Sequence, residues 1–545
     1  MNLEQSLELM PSMSFLSHPP PPYRTVETTD KFVLTDTQQV GPITIAPEVM
    51  SELNDDITFS RRSAVNNPNK SLFSGWEVQP LIGALNNAFL LTHSTVWLDE
   101  ISFFFDYFDN VRMSTQSRVN FDGRLLPQWE RIDRYNIFYV SPFYDYSSSS
   151  VDDLMHERQW ASLYFSDVNY SGLMLGEFLR AAQIIQDNRV VGYDDLVGKI
   201  ISTAEAVVRS HDSEWVEVQE GRGFYKFPDN SPFFLDGVEM PINEAAAFGS
   251  SLVRLYILTG KQVYLDRAAN IWRHWRETLF WDAYGYLYYP YVNGVWQKGW
   301  TEDNSPSVNT PMALPEIKPE TFHKAGLTIE FFLLLNFVLK DRQLDLILEE
   351  FQRVMKAVLD SDTRPASSEF PRYFGFYYPI DSVHWSPAHY AGWMALMSKD
   401  EAWSNSLLIN WAAGLRNSKT LLQGAVLNPE LFNRMSKISE ESIVVKPGLT
   451  SMPDQDCSIA SGETAIAEIK FQHTSPKNNK LYLEADGGAL IRLKIDTETG
   501  YFRGRMFLLK ERCNRLEWVD NGIYSMPSSD EENKLEMTVY SLSLE

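Results

Sequence analysis

The sequence predicts a mainly α protein built of antiparallel helix hairpins set side by side in a closed or incomplete ring, followed by a small antiparallel β module. Three observations predict it. Between about residues 75 and 415, apolar residues recur at helical spacing. The helices they mark come in pairs joined by short turns. Beyond about residue 440 the spacing changes to the alternation of half-buried strands.

Apolar stripes run through Met174, Phe178, Ala181 and Ile185, then Val197, Ile200, Ala204 and Val208. They return at Phe248, Leu252 and Leu255, at Tyr264, Ala268, Ile271 and Trp275, and at Ile347, Phe351, Val354 and Val358. Steps of three and four put each set on one face of a helix. The pattern places αα-hairpins near 78–110, 171–209, 244–281, 325–360 and 388–416. Two of them repeat: Leu91-Thr92-His93 through Trp97-Leu98-Asp99 matches Leu258-Thr259-Gly260 through Tyr264-Leu265-Asp266 without a gap. Gly260 suits the left-handed position after a helix C-terminus. Repeated hairpins must stack to bury their stripes. The irregular spacing, with long aromatic loops between pairs, favours a ring over an open solenoid, an (α/α)-toroid.

At the other end, Lys480–Asp486 and Ala489–Asp496 alternate apolar and polar residues around Asp486-Gly487-Gly488, a strong hairpin turn. The expected division is a flexible leader over 1–28, holding the polyproline run Pro19 to Pro22, a toroid domain over 29–440, and a β-sandwich-like module over 441–545. Lys31-Phe-Val-Leu34 and Gly41-Pro-Ile-Thr-Ile-Ala46 offer a further strand or two.

Composition narrows the function. The 545 residues exceed one compact core, and 44% are apolar, an ordinary globular value. Fifteen Trp, 25 Tyr and 32 Phe make 13%, many of them in Gly/Pro/Asn-rich loops, where rings either pack the loop or present flat faces to a ligand. A net charge of −24 excludes a chain-wide nucleic-acid footprint. Between Lys470 and Arg515 ten basic residues face five acidic ones, a solvated strand face or a polyanion patch. Cys457 and Cys513 build no disulfide framework; they form one bridge or stay as thiols. No stretch of about 18 apolar residues suggests a membrane span, and the N-terminus does not read as a Sec signal, so the cell interior is the default compartment and secretion by another route stays open.

Three loops that run into helix starts are the candidate chemistry. The first is Arg222-Gly-Phe-Tyr225 through Asp236, Glu239 and Pro241 to Asn243-Glu244. Asn243 and Glu244 fall in a first helical turn, where free backbone N–H groups favour negative charge or where such residues merely cap. The second is Glu320-Thr-Phe-His323 ahead of Leu327, following Trp300-Thr-Glu302-Asp303. The third is Phe370-Pro-Arg372-Tyr373 with His384-Trp385 and His389-Tyr390. In a ring of hairpins alternate helix N-termini converge, so Asn243, His323 and His389/Tyr390 are expected to share a cleft.

This run of features resembles the (α/α)-toroid polysaccharide lyases and related uronate-acting enzymes (alginate, heparinoid and glucuronan lyases), over roughly 75–415. The resemblance rests on Tyr225 through Pro241-Ile-Asn243, on Leu258-Thr259-Gly260 with Tyr264-Leu-Asp266, and on His323 before a helix. It implies β-elimination at a uronate, with Asn243 neutralising the carboxylate, His323 as base, Tyr390 or Tyr225 as acid, and Arg222 or Arg372 pairing the carboxylate. Glu239, Glu244, Trp76, Trp300 and His389 would line the groove. The chain lacks the Asn-His pair of the alginate-lyase kind. An α-proton beside a carboxylate needs a stabilised dianion and a base tuned to the working pH. The expected partner is an oligo- or polysaccharide, acidic under this reading, with no cofactor; room is left for a structural divalent cation, although no HExxH, CxxC or tight His cluster occurs. The alternatives are a glycoside hydrolase on the same ring, drawing its two carboxylates from Asp236, Glu239, Glu244, Glu302, Asp303 and Glu320, a uronate epimerase, and a carbohydrate-binding protein without chemistry.

Overall fold

The computed structural model describes residues 47–68, 73–131, 151–281, 287–288, 290–315, 320, 322–359, 391–397, 422, 426 and the strands between 443 and 542. Helix α1 (Pro47–Asn66) is followed by a hairpin of α2 (Gly75–Thr92) and α3 (Val96–Asn110), then by α4 (Val151–Arg158). Three more hairpins follow: α5 (Val168–Asp187) with α6 (Asp194–Ser210), α7 (Ile242–Thr259) with α8 (Gln262–Trp275), and α10 (Phe322–Leu339) with α11 (Arg342–Leu359). The short α9 (Gly294–Lys298) lies between the last two pairs, and α12 (Ala391–Met397) comes after them. The predicted hairpins at 78–110, 171–209, 244–281 and 325–360 are therefore present. Of the one expected near 388–416, only α12 falls within the described residues.

The first helix of each hairpin packs on the first helix of the next, in the order α2, α5, α7, α10, α12, while the second helix covers its own partner from outside. Sequence sorts the two layers. Inner helices such as α2 (GWEVQPLIGALNNAFLLT) and α10 (FHKAGLTIEFFLLLNFVL) are apolar nearly all round, whereas outer α6 and α11 carry one apolar stripe and a charged back. A helix apolar on all faces needs neighbours on all faces. The inner helices approach closely through glycine. A methyl group at Gly172 of α5 would stand 2.5 Å from the Ala247 backbone of α7, and one at Gly392 of α12 only 2.0 Å from the Gly326 carbonyl of α10. Such a succession is common to an open solenoid and to the ring that the sequence predicts, and closure into a ring stays an expectation.

Each hairpin turns through a left-handed residue: His93 (φ 53°), Arg189 (φ 52°), Gly260 (φ 68°) and Lys340 (φ 56°). The sequence repeat is a structural one. Thr92 and Thr259 both donate a hydroxyl hydrogen bond to the carbonyl four residues back (2.7 and 2.6 Å) and accept one from the amide two residues on (3.2 and 3.3 Å).

Strands β1 (Trp215–Gln219) and β2 (Arg222–Tyr225) form an antiparallel ribbon against α8, and β3 (Phe280–Trp281) pairs with β4 (Leu287–Tyr288). Seven more strands pair in one antiparallel sheet: β5 (Ile443–Val445), β6 (Thr464–Gln472), β7 (Lys480–Ala485), β8 (Ala489–Ile495), β9 (Tyr501–Leu508), β10 (Leu516–Trp518) and β11 (Leu535–Leu542). Its order is β10-β7-β8-β9-β6-β11-β5. The predicted hairpin is there, closing at Ala485↔Ala489. The described pairings form a single sheet, so the two packed layers of a sandwich stay an expectation. Among the described residues no helix is long and apolar enough to cross a membrane.

Candidate functional site

The inner helices meet at their beginnings. The second residues of α2, α5, α7 and α10 are Trp76, Asn169, Asn243 and His323, and the sixth are Pro80, Leu173, Ala247 and Leu327. Positions two and six share a helix face. Leu173, Ala247 and Leu327 form a small buried cluster, with Trp76 packed against it, separate from the main core between the layers. One residue from each of four inner helices thus reaches a common buried cluster; the expected shared cleft of Asn243, His323 and His389/Tyr390 stays an expectation, since His389 and Tyr390 lie outside the described residues.

Above that cluster the ends of α7 and α10 are tied together by polar groups. Glu320, 2% exposed, lies two residues before α10 and accepts from the Thr328 hydroxyl (3.2 Å) and from the Asn243 backbone N–H. Burial pushes its carboxyl up to about 8; the Thr328 hydroxyl, the Lys324 charge and the Asn243 N–H offset only part of that. Lys324 donates to the Tyr291 phenol oxygen at 2.6 Å, and the Tyr291 carbonyl accepts from Ile242 N–H at 3.1 Å, which fixes the 290–294 segment over both helix starts. Asn243 Oδ1, Asn293 Oδ1 and Nδ2, and Glu320 Oε2 are buried without a hydrogen-bond partner, as is Asn169 Oδ1 on α5. Native interiors leave few such groups. Asn293 is the more telling because it stands at the N-cap of α9 yet makes no capping bond.

The remaining candidates divide. Trp76 is half-buried at the start of α2, and Glu244 is half-buried on the first turn of α7, beside Asn243. His323 occupies the second position of α10. Arg372, His389 and Tyr390 lie outside the described residues. Four expectations are corrected. Tyr225 is fully buried with its hydroxyl at Arg267 (3.3 Å), between Trp215 and Phe248; burial pushes the phenol well above its ordinary range, and no surface of it is open to a substrate. Arg222 shares that ribbon and faces Glu277, 3.8 Å away beyond α8, so it does not reach the helix starts. Trp300 is core: its indole N–H donates to the Thr310 carbonyl (2.7 Å), and its backbone bridges Ala313. Glu239 is buried against His274 (2.9 Å), with Gly294 packed on its other oxygen, and acts as a strut between α8 and the 290s loop.

Asp236 is likewise structural. It accepts from the Ser307 hydroxyl (2.5 Å) and from the backbone amides of Asn230, Val308 and Asn309, pinning two loops together. The sequence pattern singles out none of Asn169, Tyr291 and Asn293, and contains Lys324 only within the run from Glu320 to Gly326, without a role of its own. Asn169 had a signal: it occupies the same position of its helix as Asn243. Among the described residues no group of three or more His, Cys, Asp or Glu side chains could hold a metal ion.

No family model matches the chain, and no curated protein does. Among solved structures it is similar to those of the alpha-1,6-mannanase GH76A of Salegentibacter sp. HEL1_6. An inactive variant in complex with alpha-1,6-mannotriose matches at 11% identity over 71% of this chain and 98% of that one, with a TM-score of 0.35. A second inactive variant, with alpha-1,6-mannotetrose, matches at 9% over 71% and 98% (TM-score 0.36). The GH76A structure itself matches at 10% over 70% and 99% (TM-score 0.36). A likeness of this degree carries neither a substrate nor a residue role to the present chain.

Proposed function

We propose that the chain is a carbohydrate-active enzyme that hydrolyses glycosidic bonds where the N-terminal ends of its inner helices meet, with Glu320 as the general acid. One observation carries this: a carboxyl at the start of an inner helix, pushed up to about 8 by burial, stays protonated at neutral pH. A glycosidic oxygen leaves readily only when it is given a proton, and a carboxyl of ordinary acidity has none to give at pH 7. Glu320 Oε2, the oxygen without a partner, is where that proton would sit. Hydrolysis needs a second carboxylate to activate water or attack the sugar. Glu244, half-buried beside Asn243, is our assignment for it.

A second reading is favoured by the Lys324–Tyr291 pair. An ammonium 2.6 Å from a phenol oxygen is the arrangement that elimination or epimerisation at a uronate would use for its base, with Asn243 at the carboxylate. A panel of neutral and acidic polysaccharides, followed for new reducing ends and for ultraviolet absorbance of unsaturated ends, separates the two. Hydrolysis gives reducing ends without absorbance, and Glu320→Gln should lower turnover about 10²–10⁴-fold. Unsaturated products with Tyr291→Phe inactive would replace hydrolysis by elimination. Wild-type turnover in Glu320→Gln would remove Glu320 from the acid role, and no turnover on any member of the panel would leave a binding protein.

A further inference from the structure

We infer that the C-terminal sheet carries a docking face for a linear acidic polysaccharide, formed by Lys470, Lys480, Arg492, Lys494, Arg503 and Arg505. The inference stands whether or not Glu320 is the acid. It begins from the basic run between Lys470 and Arg515, which the proposed active site leaves unused. Strand register gathers that run into one place. Lys480 of β7 stands opposite Lys494 of β8, Lys494 opposite Arg503 of β9, and Arg503 opposite Lys470 of β6. Directly opposite residues lie on the same face of a sheet, so four cations form a single row across four strands. Arg492 and Arg505, each two residues from a member of the row, share its face.

The two faces of the sheet are sharply sorted. On the other one Leu481 is paired with Leu493, Ile495 with Phe502, Phe502 with Phe471, and Met506 with Ala467. An antiparallel sheet of this make-up packs by its apolar face, and lysine and arginine are almost never buried unpaired. The row is also unfavourable by itself. Like charges directly opposite destabilise a sheet, and here three such pairs follow one another. The acidic residues on this face are Glu468 opposite Arg505, Glu536 opposite Lys470, and the pair Glu484 and Glu517. None of them interrupts the run from Lys480 to Lys470. An anionic chain laid along it would relieve all three like-charge pairs at once.

Spacing and charge density select the ligand. Neighbouring strands lie about 4.8 Å apart, so the row offers one positive charge per strand step. A polyuronate carries one carboxylate per sugar ring, and a chain crossing the strands would bring successive carboxylates to successive cations. Tyr482, opposite Arg492, and Tyr501, two residues before Arg503, share the face, and tyrosine is a residue against which a pyranose stacks. Nucleic acid fits less well. Its duplex carries one charge per about 1.7 Å, and a chain of net charge −24 repels so dense a polyanion more strongly than a polyuronate.

Calorimetric titration of the full chain at low salt with polygalacturonate, a neutral glucan of similar length and single-stranded DNA tests this. Polygalacturonate should bind about tenfold or more tightly than either of the others, and its affinity should fall about tenfold or more between about 50 and 200 mM salt. The double change Lys494→Gln with Arg503→Gln should weaken it about tenfold, and Lys470→Gln, on another strand, by less. The double variant should melt no lower than the parent, since it removes like-charge pairs. Glu320→Gln should bind polygalacturonate as the wild type does, because this face contains no residue of the proposed active site. Three results overturn the inference. One is no binding of polygalacturonate at low salt, as expected if acidic residues of this same chain cover the row. Another is tighter binding of DNA. The third is affinity unchanged by both sets of substitutions, or lost in Glu320→Gln, which would move the polyuronate to the helix starts.

Discussion

The starts of the inner helices and their remaining length both carry buried polar residues but treat them differently. From mid-length onward the side chains bond from helix to helix. Asn86 of α2 donates to the Glu177 carbonyl and carboxylate of α5 (both 2.9 Å), and Arg180 bonds Glu177 (3.2 Å) and Asn87 (2.7 Å). Arg254 of α7 joins Gln183 of α5 to Glu330 of α10 (both 3.4 Å). At the N-terminal ends Asn169, Asn243 and Glu320 are as deeply buried; each keeps an atom without a hydrogen-bond partner, as Asn86 Oδ1 and Arg254 Nε also do, but the Asn169 and Asn243 side chains make no hydrogen bond to a neighbouring inner helix among the described residues. Burial therefore does not distinguish scaffold from site in this protein. What distinguishes them is whether the side chain bonds a neighbouring helix at all: Asn86 and Arg254 do so through their other atoms, and the Asn169 and Asn243 side chains do not, which lowers stability where nothing else completes them.

The largest effect expected from this contrast is at the scaffold end. Arg180→Ala removes the cation from Glu177 and leaves an uncompensated carboxylate in the interior, which should reduce unfolding free energy by about 3–5 kcal/mol in urea denaturation. The double change Arg180→Met with Glu177→Leu restores an apolar contact of similar volume and should recover most of it. If Arg180→Ala costs less than about 1 kcal/mol, the ladder is not what holds the helices in register.

At the site end the sign depends on pH. The ordinary value for a glutamate is 4.5, and that of Glu320 in the fold is about 8. Below 4.5 both folded and unfolded chains hold the proton, and the group contributes nothing to pH dependence. Between 4.5 and 8 the folded chain keeps a proton that the unfolded chain has lost, so stability falls as pH rises, by up to about 1.4 kcal/mol per pH unit. Glu320→Gln lacks this slope. The stability difference between wild type and Glu320→Gln should therefore move against the wild type from about pH 4.5 to 8 and be flat on either side. A parallel pair of curves would mean that the carboxyl ionises in the fold at an ordinary pH.

The sequence revealed the scaffold more fully than the site, for a physical reason. Helix period, paired helices and turn chemistry are local signals, and the match of Thr92-His93 to Thr259-Gly260 turns out to be a shared hydrogen-bonded turn with a left-handed residue in each copy. Asn243 was legible because it follows Pro241 at a helix start. Tyr225 and Trp300 misled because an aromatic in a polar loop looks the same whether it faces a ligand or the core, and only packing decides. Glu320 drew notice merely as one carboxylate among many, since its neutrality comes from burial, which the Thr328 hydroxyl and the Lys324 charge only partly offset, and burial is not written beside it. Lys324 and Tyr291 are 33 positions apart and were joined by nothing in the pattern.

Two smaller changes sharpen the contrast from opposite sides. Asn243→Leu replaces an amide whose oxygen is unbonded by an apolar side chain of similar size, and should raise stability by about 1 kcal/mol while abolishing turnover. A loss of stability there would mean that the Asn243 amide is a scaffold element like Asn86.

Arg189→Gly tests the other end. Arg189 sits in the turn after α5 at φ 52°, exposed, where a side chain is disfavoured and glycine is not. The gain in the fold is set against the greater freedom glycine gives the unfolded chain, which leaves a net stabilisation of about 0.5 kcal/mol. His93 is the poorer choice for this test, because its ring packs edge-on against Phe89 and would be lost. Since the turn lies at the end of α5 remote from Asn169, the melting temperature should rise with no change in turnover on any polysaccharide of the panel. A coupled change in turnover would show that the two ends of the inner helices do not act independently, and that the division between scaffold and site drawn from their hydrogen bonding is too sharp.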